Sequence, residues 1–234
     1  MTKRLLIFLL LWGGVRLSAQ TIVQEFAAVS AGAGTVSDMD LTTPTTEGSV
    51  LIAMPMLLSP GIKVLSVTDN APAGGNTYQQ VSAASSSCGN QSLDIWYCEK
   101  CNPGVTELKF HLSAHVRASI NGFLEVSKIA PSSPVDGSGV HLSDGTATSA
   151  GLEVGPRITT TAKDFIIARY FSSVPGPTGV TPAGWTFKTS YVYMLNAPAG
   201  TYQPTLTGGR AGGNFCMGMA AFKTSGSVAG SQTN

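Results

Sequence analysis

The chain has 234 residues, 14 Lys+Arg against 13 Asp+Glu, a net charge of +1 and a charged fraction of only 12%. With no basic run it lacks the many phosphate contacts that nucleic-acid binding leans on, so nucleic acid is excluded as an expected partner. The 27 Gly and 13 Pro, with abundant Ser and Thr, suit short strands joined by turns, and the length suffices for one domain with a proper core.

Lys3 and Arg4, an apolar run from Leu5 to Trp12 and the small-residue exit Leu17-Ser18-Ala19 together describe a secretory signal peptide over residues 1–19. The run is too short to span a bilayer, which takes about 20 residues, and no later stretch is long and apolar enough for a membrane helix. Export is therefore expected, to the extracellular space or cell surface, with no membrane span in the mature chain. An uncleaved anchor is the alternative that Arg16 leaves open.

Thr21 to Val29 opens as a strand, which Ala31 to Thr35 breaks. Ser49 to Leu58 is nearly all apolar, as expected for a strand covered on both faces. Pro55 within it cannot donate to a ladder and is placed at a bulge, a strand end or an edge. Ile62 to Thr68 alternates and delivers the chain to Asp69-Asn70. A strand follows at Asn76 to Ser82, then a polar connection to Gly89.

From Gln91 to Ile129 three strands are predicted. Leu93, Ile95 and Tyr97 share one face against Asp94 and Trp96; Leu108, Phe110 and Leu112 oppose Glu107, Lys109 and His111; Ala118, Ile120, Leu124 and Val126 oppose Arg117, Ser119, Asn121 and Glu125. Residues 130–150 have no periodicity and read as a mobile loop within a single domain over 20–223. Strands resume at Leu152 to Thr161 and Phe165 to Ser172. Hairpins pair Trp185 to Lys188 with Ser190 to Leu195, and Thr201 to Thr207 with Asn214 to Lys223. Residues 224–234 read as a disordered tail. Roughly a dozen strands without a helix predict an all-β, two-sheet antiparallel β-sandwich of jelly-roll or Greek-key type.

Several short stretches carry a resemblance. Ser66-Val67-Thr68-Asp69 with Gly75-Asn76-Thr77-Tyr78, Ile95 to Lys100, Thr106 to Phe110, Leu124 to Ser127 with Pro134-Val135-Asp136, Thr159-Thr160-Thr161 and Met219 to Lys223 occur in the order found in a largely uncharacterised family of secreted bacterial β-sandwich modules. The chain resembles that family over most of its mature length. The resemblance implies the sandwich fold and secretion; it brings no activity and no functional residues. Cys98 and Cys101 stand where the family has Ala and an aliphatic residue, and Ala71-Pro72-Ala73 is an insertion.

Four cysteines in an exported chain imply two disulfides. Cys88 and Cys98 flank a stretch predicted to be extended, roughly 30 Å apart, beyond bonding reach, as is Cys88 from Cys101. The complete pairing left is Cys98 with Cys101 and Cys88 with Cys216, the first requiring the chain to curl at Glu99-Lys100. A redox role for this CxxC would need a helix N-terminus to lower a thiol pKa, and nothing helical follows.

His111 and His115 on an extended strand stand about 13 Å apart, too far to share a zinc ion. No cofactor is expected apart from calcium, for which Asp69, Asn70 and Asn76 across one turn, or Asp136 with Asp144 across the long loop, are the oxygen-bearing candidates. No G-x-S-x-G is present. A glycosidase would need two carboxylates facing each other, for which Glu107, Glu125 and Asp94 are the candidates. The preferred reading is non-enzymatic.

Trp185 with Phe187 and Tyr191 with Tyr193 place aromatics at period two on adjacent strands. Ring faces stack on the apolar face of a sugar, so these four residues form the candidate ligand-binding strip. The expected function is a secreted, non-catalytic binding or adhesion module for an extracellular polysaccharide or cell-surface component. The alternatives are a self-assembling structural subunit of a surface layer or filament, and a polysaccharide hydrolase or lyase.

Overall fold

The computed structural model describes residues 19–30, 34–144, 152–161, 163–173, 176–209 and 213–225, with the backbone alone at 28–30, 88, 143 and 144. Apart from Ala19, the signal peptide predicted over 1–19 lies outside the described residues. The strands are β1 (Thr21–Ser30), β2 (Gly34–Asp40), β3 (Ser49–Leu57), β4 (Val64–Asp69), β5 (Tyr78–Gln80), β6 (Ser86–Cys88), β7 (Gln91–Leu93), β8 (Trp96–Cys98), β9 (Glu107–Val116) and β10 (Ser119–Ser127). They continue with β11 (Val135–Asp144), β12 (Glu153–Val154), β13 (Ile158–Thr160), β14 (Asp164–Ser172), β15 (Gly179–Thr181), β16 (Thr186–Phe187), β17 (Tyr191–Ala197), β18 (Gly200–Tyr202), β19 (Thr205–Thr207) and β20 (Asn214–Lys223). A single 3₁₀ turn, Ser82–Ala84, interrupts them; among the described residues there is no α-helix.

The protein is an all-β sandwich of antiparallel sheets, with more layers than the two expected. One central sheet runs β1-β10-β3-β7-β6, with β8 also on β3 and β5 on β8; the other runs β11-β20-β14-β17-β16. An outer sheet, β2-β9-β4, covers the first, and two small sheets, β12-β19-β15 and β13-β18, cover the second. Three large apolar clusters and a smaller one around Met56, Leu93 and Cys216 fill the spaces between these four layers. Leu51, Ala53 and Phe123 meet Leu108 and Phe110 of the outer sheet. Ile52, Leu124 and Val126 meet Phe165, Ile167 and Phe222 between the central sheets. Ile166, Ala168 and Met219 meet Ile158 and Leu206 beneath the small sheets. Alternate residues of one strand thus enter different cores, which is why all nine residues of β3 are buried and why its sequence reads as a continuous apolar run.

Pro55 departs from expectation, since it lies inside β3 with strands on both sides. In an antiparallel strand a residue's N–H and C=O point the same way, and the Pro55 carbonyl accepts the Asp94 N–H at 3.1 Å. The donor that proline lacks is therefore missing toward Asp94, where the neighbouring strand is split into β7 and β8. The proline is tolerated because that partner ladder is interrupted, and the interruption sets the position of Asp94.

Residues 135–144, expected within a mobile loop, form β11, which pairs along β20. Its signal was hidden because close layer packing demands glycine: a Cβ on Gly137 would stand 2.7 Å from the Thr159 carbonyl oxygen. The predicted tail also begins bound. Thr224 bridges to Ile129 and accepts from Gln20 Nε2 at 2.8 Å, whereas residues 226–234 lie outside the described residues.

Candidate functional site

The split between β7 and β8 turns Asp94 and Trp96 toward the gap between the first central sheet and the outer sheet. They line a recess of about 420 Å³ together with Lys63, Leu65, Gln80 and a group of serines that includes Ser86 and Ser92. Gln80 Nε2 donates to Asp94 Oδ1 at 3.0 Å, and Ser92 Oγ donates to the Ile62 carbonyl at 3.1 Å. Ser86 Oγ is buried without a hydrogen-bond partner, and the Trp96 indole N–H is directed at the Asp94 carboxyl. Burial pushes the Asp94 carboxyl above its ordinary pKa, while nearby Ser85, Gln80 and Trp96 and the charge of Lys63 pull the other way. Leu65, 63% exposed, supplies an apolar rim. The result is a recess with a buried acid that an amide and an indole N–H contact, an unspent serine hydroxyl, and an aliphatic edge.

The aromatic strip expected from Trp185, Phe187, Tyr191 and Tyr193 is divided between two faces. Phe187 pairs with Val192 and Thr186 with Tyr193, and cross-strand partners share a face. Trp185 and Phe187 therefore rest on the core beneath the small sheets, with Phe187 stacked on Tyr170 at 6.3 Å. Tyr191 and Tyr193 turn to the core between the central sheets; Tyr191 is buried and donates to Glu25 Oε2 at 3.0 Å.

Asp69 and Asn76 meet in a hydrogen-bonded turn, whereas the Asn70 side chain is turned to Thr106 and Glu107. Asp69 Oδ1 accepts from Ala71 N and Asn76 N, and Oδ2 accepts from Asn76 Nδ2 at 2.7 Å and from the Tyr78 hydroxyl at 2.8 Å. Asn70 Oδ1 accepts from Thr106 N and Glu107 N, and Asn76 Oδ1 from Asn102 N. Asp136 and Asp144 stand near opposite ends of β11, their backbones roughly 27 Å apart, and do not converge. No group of three or more His, Cys, Asp or Glu placed to hold a metal occurs among the described residues.

Glu107 pairs with Lys109 at 3.2 Å. Glu125 is buried and accepts from Gln24 Nε2 and Thr46 N, each at 2.7 Å, so the two glutamates serve separate places. His111 hydrogen-bonds Thr68 Oγ1 at 2.8 Å, and His115 is exposed further along the same strand.

Cys98 and Cys101 form a disulfide with Cα atoms 5.7 Å apart. The curl at Glu99-Lys100 is present, with Lys100 at φ 51°. The chain reverses between β6 and β7, Cys88 pairing with Gln91, so the extended span assumed from Cys88 to Cys98 does not exist. Cys216 is itself disulfide-bonded, whereas the Cys88 side chain lies outside the described residues.

The convergence of Asp94, Trp96 and Gln80 was hidden because it depends on a strand break imposed by Pro55, a neighbour across the sheet. No helix among the described residues is long and apolar enough to cross a membrane. Compared with known proteins, the chain matches no family model, no curated protein and no solved structure.

Proposed function

We propose that this protein is a secreted, non-catalytic binding module that takes a glycan, as part of an extracellular polysaccharide or cell surface, in the recess around Asp94 and Trp96. One observation supports this reading above others: a single recess of about 420 Å³ brings together a buried carboxyl, an amide, several serine hydroxyls and an indole N–H beside the exposed Leu65. Sugars present hydroxyls and an apolar C–H face, which such a lining serves separately. The non-catalytic part of the proposal rests on charge. A glycosidase sets two carboxylates on either side of the bond it cuts, and Asp94 has no second acid beside it among the described lining residues.

A glycan-array screen of the secreted form, with Asp94→Asn, Gln80→Ala and Trp185→Ala variants, tests this reading. Binding that falls at least about tenfold in Asp94→Asn and Gln80→Ala but survives Trp185→Ala supports the recess. The reverse pattern moves the site to the Trp185 face, and no binding to any polysaccharide overturns the glycan reading.

A second reading, a self-assembling structural subunit, is favoured by β11, an edge strand on which Val140 and Leu142 are 41% and 53% exposed. Such edges invite pairing with another chain. Sedimentation that shows a monomer at all concentrations would discard it.

A further inference from the structure

Arg169 lies on the face of β14 turned toward the first central sheet and is fully buried. Its Nη2 donates to the Ile120 carbonyl of β10 at 2.6 Å, and its Nη1 donates to Ser190 Oγ and, at 3.3 Å, to the Ser190 carbonyl. Its Nε has no acceptor. Gly122 makes room for the group, since a Cβ there would stand 3.4 Å from Nη1. The ion pairs among the described residues are Lys109 with Glu107 and Lys188 with Glu25, so no carboxylate balances Arg169. Burial lowers its pKa to about 10, which still leaves it charged at neutral pH. A buried cation held only by neutral acceptors is costly unless negative charge comes from elsewhere.

Both residues that accept from Arg169 also form the wall of an open recess of about 330 Å³, where Met56, Tyr170, Phe171 and Thr189 join Ile120 and Ser190. Its volume lies at the lower end of ligand pockets, and its surface is chiefly apolar. A serine hydroxyl has one donor and two acceptor positions. Since Ser190 Oγ accepts from Arg169, its own proton remains to be donated and is polarised by the cation behind it.

We propose that this recess binds a small apolar carboxylate, whose headgroup takes the Ser190 Oγ–H hydrogen bond in the field of Arg169 and whose hydrocarbon part lies on Met56, Ile120 and Phe171. A cationic ligand would be repelled there, and a neutral one would leave the guanidinium unbalanced. The site is separate from the Asp94 recess and stands whether or not the protein binds glycans.

Calorimetric titration of the secreted protein with octanoate, against octanol as the uncharged probe of equal length, tests the proposal. Saturable octanoate binding about tenfold tighter than octanol is expected, from one charge acting at short range in a partly buried site. Ser190→Ala, which leaves Arg169 and its backbone acceptors in place, should shrink that preference about threefold or more by removing the hydroxyl that meets the headgroup, and a cooperative melt, lowered by the lost Arg169–Ser190 hydrogen bond, would show that the fold is intact. Equal affinities in the native protein, no binding of octanoate, or a preference undiminished in Ser190→Ala would each overturn the assignment.

Discussion

Asp164 is fully buried beside Asp136, to which its protonated carboxyl hydrogen-bonds, and neither of its oxygens is met by any other donor. Asp136 takes the donors that Asp164 lacks, from Thr161 N at 2.6 Å and Thr161 Oγ1 at 2.9 Å. Burial, followed by the charge of Asp136, pushes the Asp164 pKa up to about 7. At Asp136 burial also works upward, but the Thr161 donors outweigh it and leave its pKa low.

The folded chain therefore holds a proton on Asp164 that the unfolded chain releases near pH 4. The stability this contributes is complete below about pH 4 and is lost as pH rises through about 7. Melting temperature should fall by several degrees from pH 5 to pH 8. Asp164→Asn, uncharged and of the same shape, should flatten that slope; equal slopes in the two proteins would assign the dependence to another group.

Gly218 in β20 faces the 3₁₀ turn so closely that a Cβ would lie 1.8 Å from the Ala84 carbonyl oxygen. Gly218→Ala must displace backbone on one side or the other, and the expected loss exceeds about 3 kcal/mol in urea unfolding. Gly176, with nothing within 4 Å of its Cβ position, is the control, and Gly176→Ala should stay within about 1 kcal/mol of the native protein. Similar losses in both would mean that the close approach at Gly218 is not what limits it.

Asp69 gathers four donors from Ala71, Asn76 and Tyr78. Asp69→Ala should cost about 2–3 kcal/mol by leaving partly buried donors unpaired. Asp69→Asn should cost less, because it retains one acceptor oxygen. Chemical denaturation of both variants checks the order, and an equal loss would place the cost in the carboxylate's charge.

Tyr191 and Trp185, alike in sequence terms, should separate on mutation. Tyr191 is 4% exposed in the core between the central sheets, so Tyr191→Ala should cost about 3–5 kcal/mol. Trp185 is only half-buried and should cost less when truncated. Denaturant midpoints compared at a common slope measure both, and a Tyr191 loss below about 1 kcal/mol would contradict its place in the core.

Much of the fold is legible because alternation is a local property. The assignment of Leu93, Ile95 and Tyr97 to one face and Trp96 to the other holds, with Ile95 and Tyr97 in the core between the central sheets and Trp96 in the core under the outer sheet. The Cys98–Cys101 bond was legible too, since a three-residue spacing with a turn at Lys100 leaves few geometries. By contrast β11 was invisible, because its glycines answer to Thr159 and Ile158 in another layer.

Strand content, the antiparallel all-β architecture and the covering of β3 on both faces could be read from the residues alone, because a period of two and a continuous apolar run are written in neighbouring residues. The face that each candidate side chain occupies came from packing across the sheets. Register across β16 and β17 parted Trp185 from Tyr191, the missing donor of Pro55 opened the ladder beside Asp94, and layer stacking enclosed Arg169 without a counter-ion. These are relations between residues far apart in the chain, set by hydrogen-bond register and layer spacing, to which local periodicity is blind.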